Sequence, residues 1–164
     1  MSVRPAALII VALLLACGGA QTPVPVVGAS ADISQLAGEW FGEYSSVESG
    51  RSGSIVFKLV AGTDSASGDV FMTPQWAMRQ GNAPAPSTPQ PSTTPALTIR
   101  FVRVTGGQVS GALAPYTDPT CGCTLHTTFL GRLQRDTLEG AYTSLHEQTR
   151  EIQKGRWRVV RKQP

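Results

Sequence analysis

The chain has 164 residues, 41% hydrophobic and 15% charged, with 14 Lys and Arg against 11 Asp and Glu for a net charge of +3. That length suits a single domain, and the hydrophobic share is enough for a packed core, which excludes a wholly disordered chain. Apart from Arg4, the basic residues are spread from Arg51 to Lys162 with acidic residues between them, so no concentrated basic face for a nucleic-acid partner is expected.

Behind Arg4, whose positive charge keeps the start of the chain cytoplasmic, residues 6–16 are uninterruptedly apolar. A helix needs roughly 20 residues to cross a bilayer, so this run reads as a processed signal and not as a membrane span. Leu14, Leu15, Ala16 and Cys17 end it, and this segment resembles the lipobox of bacterial lipoproteins. The resemblance implies that residues 1–16 are removed as a signal peptide and that Cys17 is acylated on its sulfur and its new amino terminus. Two or three acyl chains anchor stably, which makes the lipid bilayer the expected partner. Gly18 stands where lipoproteins retained at the inner membrane carry Asp, so the same resemblance implies an outer-membrane, lipid-anchored protein facing the periplasm or the cell surface. The alternative is an ordinary secretory signal cleaved near residues 12–17.

Residues 17–32, rich in Gly, Ala, Pro, Thr and Val without periodicity, read as a flexible tether, and a single ordered domain is expected over 33–164. Residues 33–37 suggest one helical turn with Asp32 as its cap. Beyond it the dominant pattern is Gly-x-apolar, as in Gly38-Glu39-Trp40, Gly53-Ser54-Ile55, Gly140-Ala141-Tyr142 and Gly155-Arg156-Trp157. A spacing of two is strand spacing, which puts the glycine and the apolar residue on one face. Glycine inside a strand demands a reason: a bend, a bulge or a close approach of backbone. Eight strands are predicted, near 38–45, 53–60, 66–72, 97–104, 108–114, 123–133, 136–144 and 155–161. Short turns at Gly106-Gly107 and Gln134-Arg135 and a loop at 62–65 support sequential hairpins. The expected fold is all-β, an eight-stranded antiparallel up-and-down barrel in which the last strand pairs with the first; the alternative is a two-sheet β-sandwich. The terminal basic cluster Lys154, Arg156, Arg158, Arg161 and Lys162 is interleaved with Trp157, Val159 and Val160, the pattern of a strand with one solvated face.

The longest interruption, 73–95, holds six of the chain's 12 prolines and reads as an extended, solvated loop. Phe71, Met72, Trp76 and Met78 precede or open it, and either form an apolar flap over the barrel mouth or plug its end.

Leu36, Gly38 and Trp40 at the start of the first strand resemble the G-x-W motif of lipocalins and their calycin relatives. The resemblance implies that Gly38 and Trp40 are structural and that Arg158, in the last strand, lies across the indole. The central T-D-Y motif of lipocalins has no counterpart, since Tyr116-Thr117-Asp118 carries those residues in another order. Trp40, Phe41 and Ser46 are similar to the first strand of avidins, but Gly42 stands where avidins carry their biotin-reading asparagine. The layout also resembles small Gly-rich barrel lipoproteins of bacterial envelopes. A fold does not dictate a function.

Cys121-Gly122-Cys123 holds the two thiols left once Cys17 is acylated, in an oxidising compartment. The expected outcome is a local disulfide, with Gly122 allowing the tight turn. A metal or redox site is the alternative: Cys121, Cys123 and His126, with His146 as a further donor, make a soft thiolate and imidazole set suited to Cu(I) or Zn. Free or intermolecularly paired thiols are a third outcome. Cys123 and His126 are three apart and fall on opposite faces of a strand, and no G-x-S-x-G or paired-carboxylate motif is present, so enzymatic activity is not expected and no cofactor is implied. The function expected is binding of a small apolar or amphipathic ligand at the barrel mouth by Trp40, Tyr44, Trp76, Tyr142 and Trp157; an envelope structural or interaction module without ligand is the alternative.

Overall fold

The hairpin signals of the sequence close into a barrel in a computed structural model that describes residues 23–73, 96–118 and 121–163. In chain order the elements are β1 (Val24–Val27), α1 (Ser30–Gln35), β2 (Gly38–Ser45), β3 (Ser52–Leu59), β4 (Ser65–Thr73), β5 (Ala96–Thr105), β6 (Gln108–Leu113), β7 (Tyr116–Thr117), β8 (Thr124–Gln134), β9 (Thr137–His146) and β10 (Ile152–Arg161). The wall runs β6-β5-β1-β4-β3-β2-β10-β9-β8 and closes by pairing β8 with β6, while β7 adds to β8 as an extra strand. Among the described residues no helix is long and apolar enough to cross a membrane.

Two-residue turns join two of the hairpins, β5–β6 and β8–β9. Gly106 and Gly107 both take positive φ, which matches the twist of the flanking strands β5 and β6. The closing pair β10–β2 is in register from Arg156 opposite Ser45 to Arg161 opposite Trp40.

The wall is not the eight-stranded, purely antiparallel one expected; it has nine strands and mixed pairing. The difference lies in Val24–Val27, within the stretch read as tether. β4 and β5 pair directly only over Asp69–Phe71 and Ala96–Thr98. Below that seam they diverge, and β1 fills the gap, antiparallel to β4 at Val24–Ala66 and parallel to β5 at Val26–Val102. Val24 and Val26 point into the core and are buried, while Pro25 and Val27 point out. Without β1 both flanking strands would expose unpaired backbone groups at this seam.

The interior explains the glycine pattern. Aromatic side chains lie directly opposite glycines on neighbouring strands: Tyr44 faces Gly53, Phe57 faces Gly68, Phe129 faces Gly111, Tyr142 faces Gly155 and Trp157 faces Gly140. A Cβ on Gly155 would stand 2.3 Å from the Tyr142 ring, and one on Gly131 would stand 2.4 Å from the Trp157 ring. The glycines are therefore the sites where rings lie against the wall, a close-approach role.

Candidate functional site

The barrel has one sealed end and one mouth. At the sealed end Trp40 is fully buried, its Nε1 donating to the Leu36 carbonyl 2.9 Å away. The guanidinium of Arg161 lies 4.2 Å from the centroid of the indole. Its Nη2 donates to the Gln35 carbonyl at 2.8 Å, its Nη1 to the Ala37 carbonyl, and its Nε to Asp136 at 2.9 Å, so one side chain ties α1, the start of β2 and the β8–β9 turn together. Gly38, at φ +126°, leaves room for this arginine, since a Cβ there would stand 3.0 Å from its Nη1. Arg158 is not the residue across Trp40. It sits opposite Glu43 on the outer face, 64% exposed, with Glu139 at 3.6 Å. The reason is strand parity: Trp157, Val159 and Arg161 share the inward face, and Arg158 cannot join them.

Above Trp40 a cavity of about 100 Å³ runs along the axis towards the mouth. Tyr44, Phe57, Met72, Phe129, Tyr142 and Trp157 line it. Tyr44 and Tyr142 meet edge to face with centroids 5.7 Å apart, as do Phe129 and Trp157 at 5.8 Å. Of the residues expected at a ligand, Tyr44, Tyr142 and Trp157 line this cavity. Trp40 does not; it closes the floor beneath. Trp76 and the whole of 74–95 lie outside the described residues, as does Cys17.

The mouth end is polar. Arg51 and Asp118 form an ion pair with side chains 11% and 1% exposed, and Nη1 of Arg51 also donates to Met72 Sδ at 3.4 Å. Thr127 and Ser144, opposite each other on β8 and β9, share a hydrogen bond of 2.7 Å, and the Tyr116 hydroxyl lies 3.3 Å from Thr127 Oγ1. Burial, reinforced by neighbouring Tyr116 and Tyr142, raises the Tyr44 phenol above its ordinary range. Burial also raises the Tyr142 phenol, against the opposing effect of its hydrogen bond with Ser46. Both hydroxyls therefore stay protonated at neutral pH as neutral hydrogen-bonding groups beside an apolar space.

At the rim Cys121 and Cys123 are joined by a disulfide with Cα atoms 5.2 Å apart, and Gly122 between them has φ +65°. His126 is not beside them. It faces outward on β8, 3.6 Å from Glu147. The imidazole that approaches the sulfurs is that of His146, whose Nδ1 lies 3.1 Å from Cys123 Sγ. Arg51, Asp118, Tyr116 and Phe129 were not singled out from the sequence as site residues. Phe129 had an available signal, because Phe129, Gly131 and Leu133 continue the Gly-x-apolar face of β8; the buried Arg51–Asp118 pair, 67 positions apart in the chain, had none.

No protein-family model, curated protein or solved structure matches this chain, so its chemistry rests on this geometry.

Proposed function

We propose that this protein is a lipid-anchored lipoprotein of the bacterial cell envelope, held at the outer membrane by acylated Cys17, whose barrel binds a small apolar or amphipathic ligand. The observation that carries the binding reading is the axial cavity: apolar rings along its length, a sealed floor at Trp40, and neutral phenols with an ion-paired arginine at its mouth end. Ligand pockets combine an apolar lining with a few placed polar groups in this way. Its volume sets the ligand's size. About 100 Å³ is well below the roughly 300 Å³ at which drug-sized pockets begin, and near the roughly 150 Å³ of an engineered apolar cavity that accepts benzene. The ligand class is thus a single ring or a short alkyl chain, with a polar end towards Tyr44 and Tyr142.

The test is a thermal-shift and NMR titration of the Cys17→Ser protein with benzene, phenol, butanol and dodecanoate. The smaller compounds should raise Tm saturably and shift the Trp157 indole resonance, phenol more than benzene; Ile55→Trp, which fills the cavity, should remove both effects. No saturable response to any of the smaller compounds sinks the binding reading and leaves a structural barrel. Membrane fractionation tests the anchor separately: Cys17→Ser should move the protein to the soluble fraction without unfolding it.

A further inference from the structure

The disulfide between Cys121 and Cys123 closes a loop only two positions long in sequence. So short a loop removes little entropy from the unfolded chain, and the bond adds far less to the fold than a long-range bridge would. Its surroundings are those of a reactive sulfur pair. Cys121 is exposed at the rim and Cys123 is half-buried behind it. His146, only 7% exposed, holds Nδ1 3.1 Å from Cys123 Sγ, while its Nε2 is buried with no hydrogen-bond partner among the described residues. Both sulfurs and the imidazole nitrogen lie within 4.8 Å of one another. A buried nitrogen without a partner is costly, and an imidazole kept at that cost is aimed at a sulfur.

We propose that Cys121–Cys123 is an exchangeable, redox-active disulfide that takes two electrons from a dithiol, with His146 stabilising the thiolate that leaves. A thiolate of the donor attacks Sγ of Cys121, the accessible sulfur. The new sulfur–sulfur bond forms as the Cys121–Cys123 bond breaks, and the electron pair passes to Cys123 Sγ, which accepts a hydrogen bond from His146 Nδ1–H. The donor's second thiolate then attacks the donor sulfur of the mixed disulfide. Cys121 leaves as a thiolate and the donor departs as its own disulfide; each of the two released cysteine thiolates then takes a proton from water, and the protein holds a dithiol. Stabilising the leaving thiolate speeds the first step and favours the reduced form.

Full-length protein carrying Cys17→Ser, so that only these two thiols titrate, is equilibrated in glutathione buffers, quenched by alkylation and weighed by mass spectrometry. At millimolar glutathione a mixture of oxidised and reduced protein should form with the circular dichroism of the fold intact, and the transient glutathione adduct should map to Cys121. His146→Phe keeps the ring volume, removes both nitrogens, and should slow reduction by dithiothreitol about tenfold through loss of the thiolate's donor. His146→Asn, which restores a donor, should recover part of that rate. The proposal is overturned by a bond that yields only after the protein unfolds in denaturant, by an adduct on Cys123, or by a folded His146→Phe protein that exchanges at the wild-type rate. Should His146→Phe fail to fold, the adduct position and the reduced fraction of the parent protein decide the matter.

Discussion

Trp40 and Arg161 carry the closure of the barrel, because one cation–π contact joins the first long strand to the last and three further hydrogen bonds fix the arginine over the indole. Truncating a buried tryptophan costs about 3 to 5 kcal/mol through lost burial and the cavity left behind. Trp40→Ala should lose that much stability, and Arg161→Ala about 1 to 3 kcal/mol through the stacked contact and the orphaned carbonyls. The double variant should lose less than the sum, since both changes remove one contact. Arg158→Ala should stay within about 0.5 kcal/mol, as an exposed residue with a long ion pair does. Urea titration of the four proteins measures all of this, and an Arg158→Ala effect as large as that of Arg161→Ala would reverse the assignment.

Among the elements, β1 tests whether Val24–Val27 is wall or tether. Its last two valines differ sharply in exposure, Val26 at 3% and Val27 at 49%, although they are neighbours. Val26→Asp places a carboxylate on the buried face of the seam between β4 and β5, opposite Val102, while Arg103 beside it lies on the exposed face, and should cost about 3 kcal/mol or more. Val27→Asp points to solvent and should cost less than about 1 kcal/mol. A tether would tolerate both changes equally, so equal urea midpoints for the two variants would remove β1 from the barrel.

The molecule as a whole should weaken in alkali. The folded Tyr44 and Tyr142 phenols hold their protons above the ordinary phenol value of 10.0. Once pH exceeds that value the unfolded chain has released protons that the folded chain keeps, so unfolding becomes more favourable with each further rise. Stability should be flat in this respect below pH 10 and fall above it, and the Tyr44→Phe, Tyr142→Phe double variant should fall less steeply. Chemical denaturation from pH 8 to pH 11 reads the slope; parallel slopes for the two proteins would show that neither phenol is held back by burial.

The sequence by itself determined the barrel's repeating parts. Alternation of glycine and apolar residues located eight wall strands, and short turns such as Gly106-Gly107 paired neighbours, because both signals act between residues near in the chain. Three features were decided only by the tertiary structure. Val24–Val27, four residues with a proline among them, has no strand signal of its own, and it becomes a strand because β4 and β5 leave a gap that its backbone can satisfy. Arg161 rather than Arg158 meets Trp40 because the register of β10 on β2 fixes which parity faces inward; the neighbouring Trp157 and Val159 carried that parity in the sequence. The partner of the cysteines is His146 and not the nearer His126, since β8 turns His126 outward while pairing places His146 opposite Leu125, beside the rim. Local pattern dictates period and turn; closure of a sheet on itself dictates which distant residues meet.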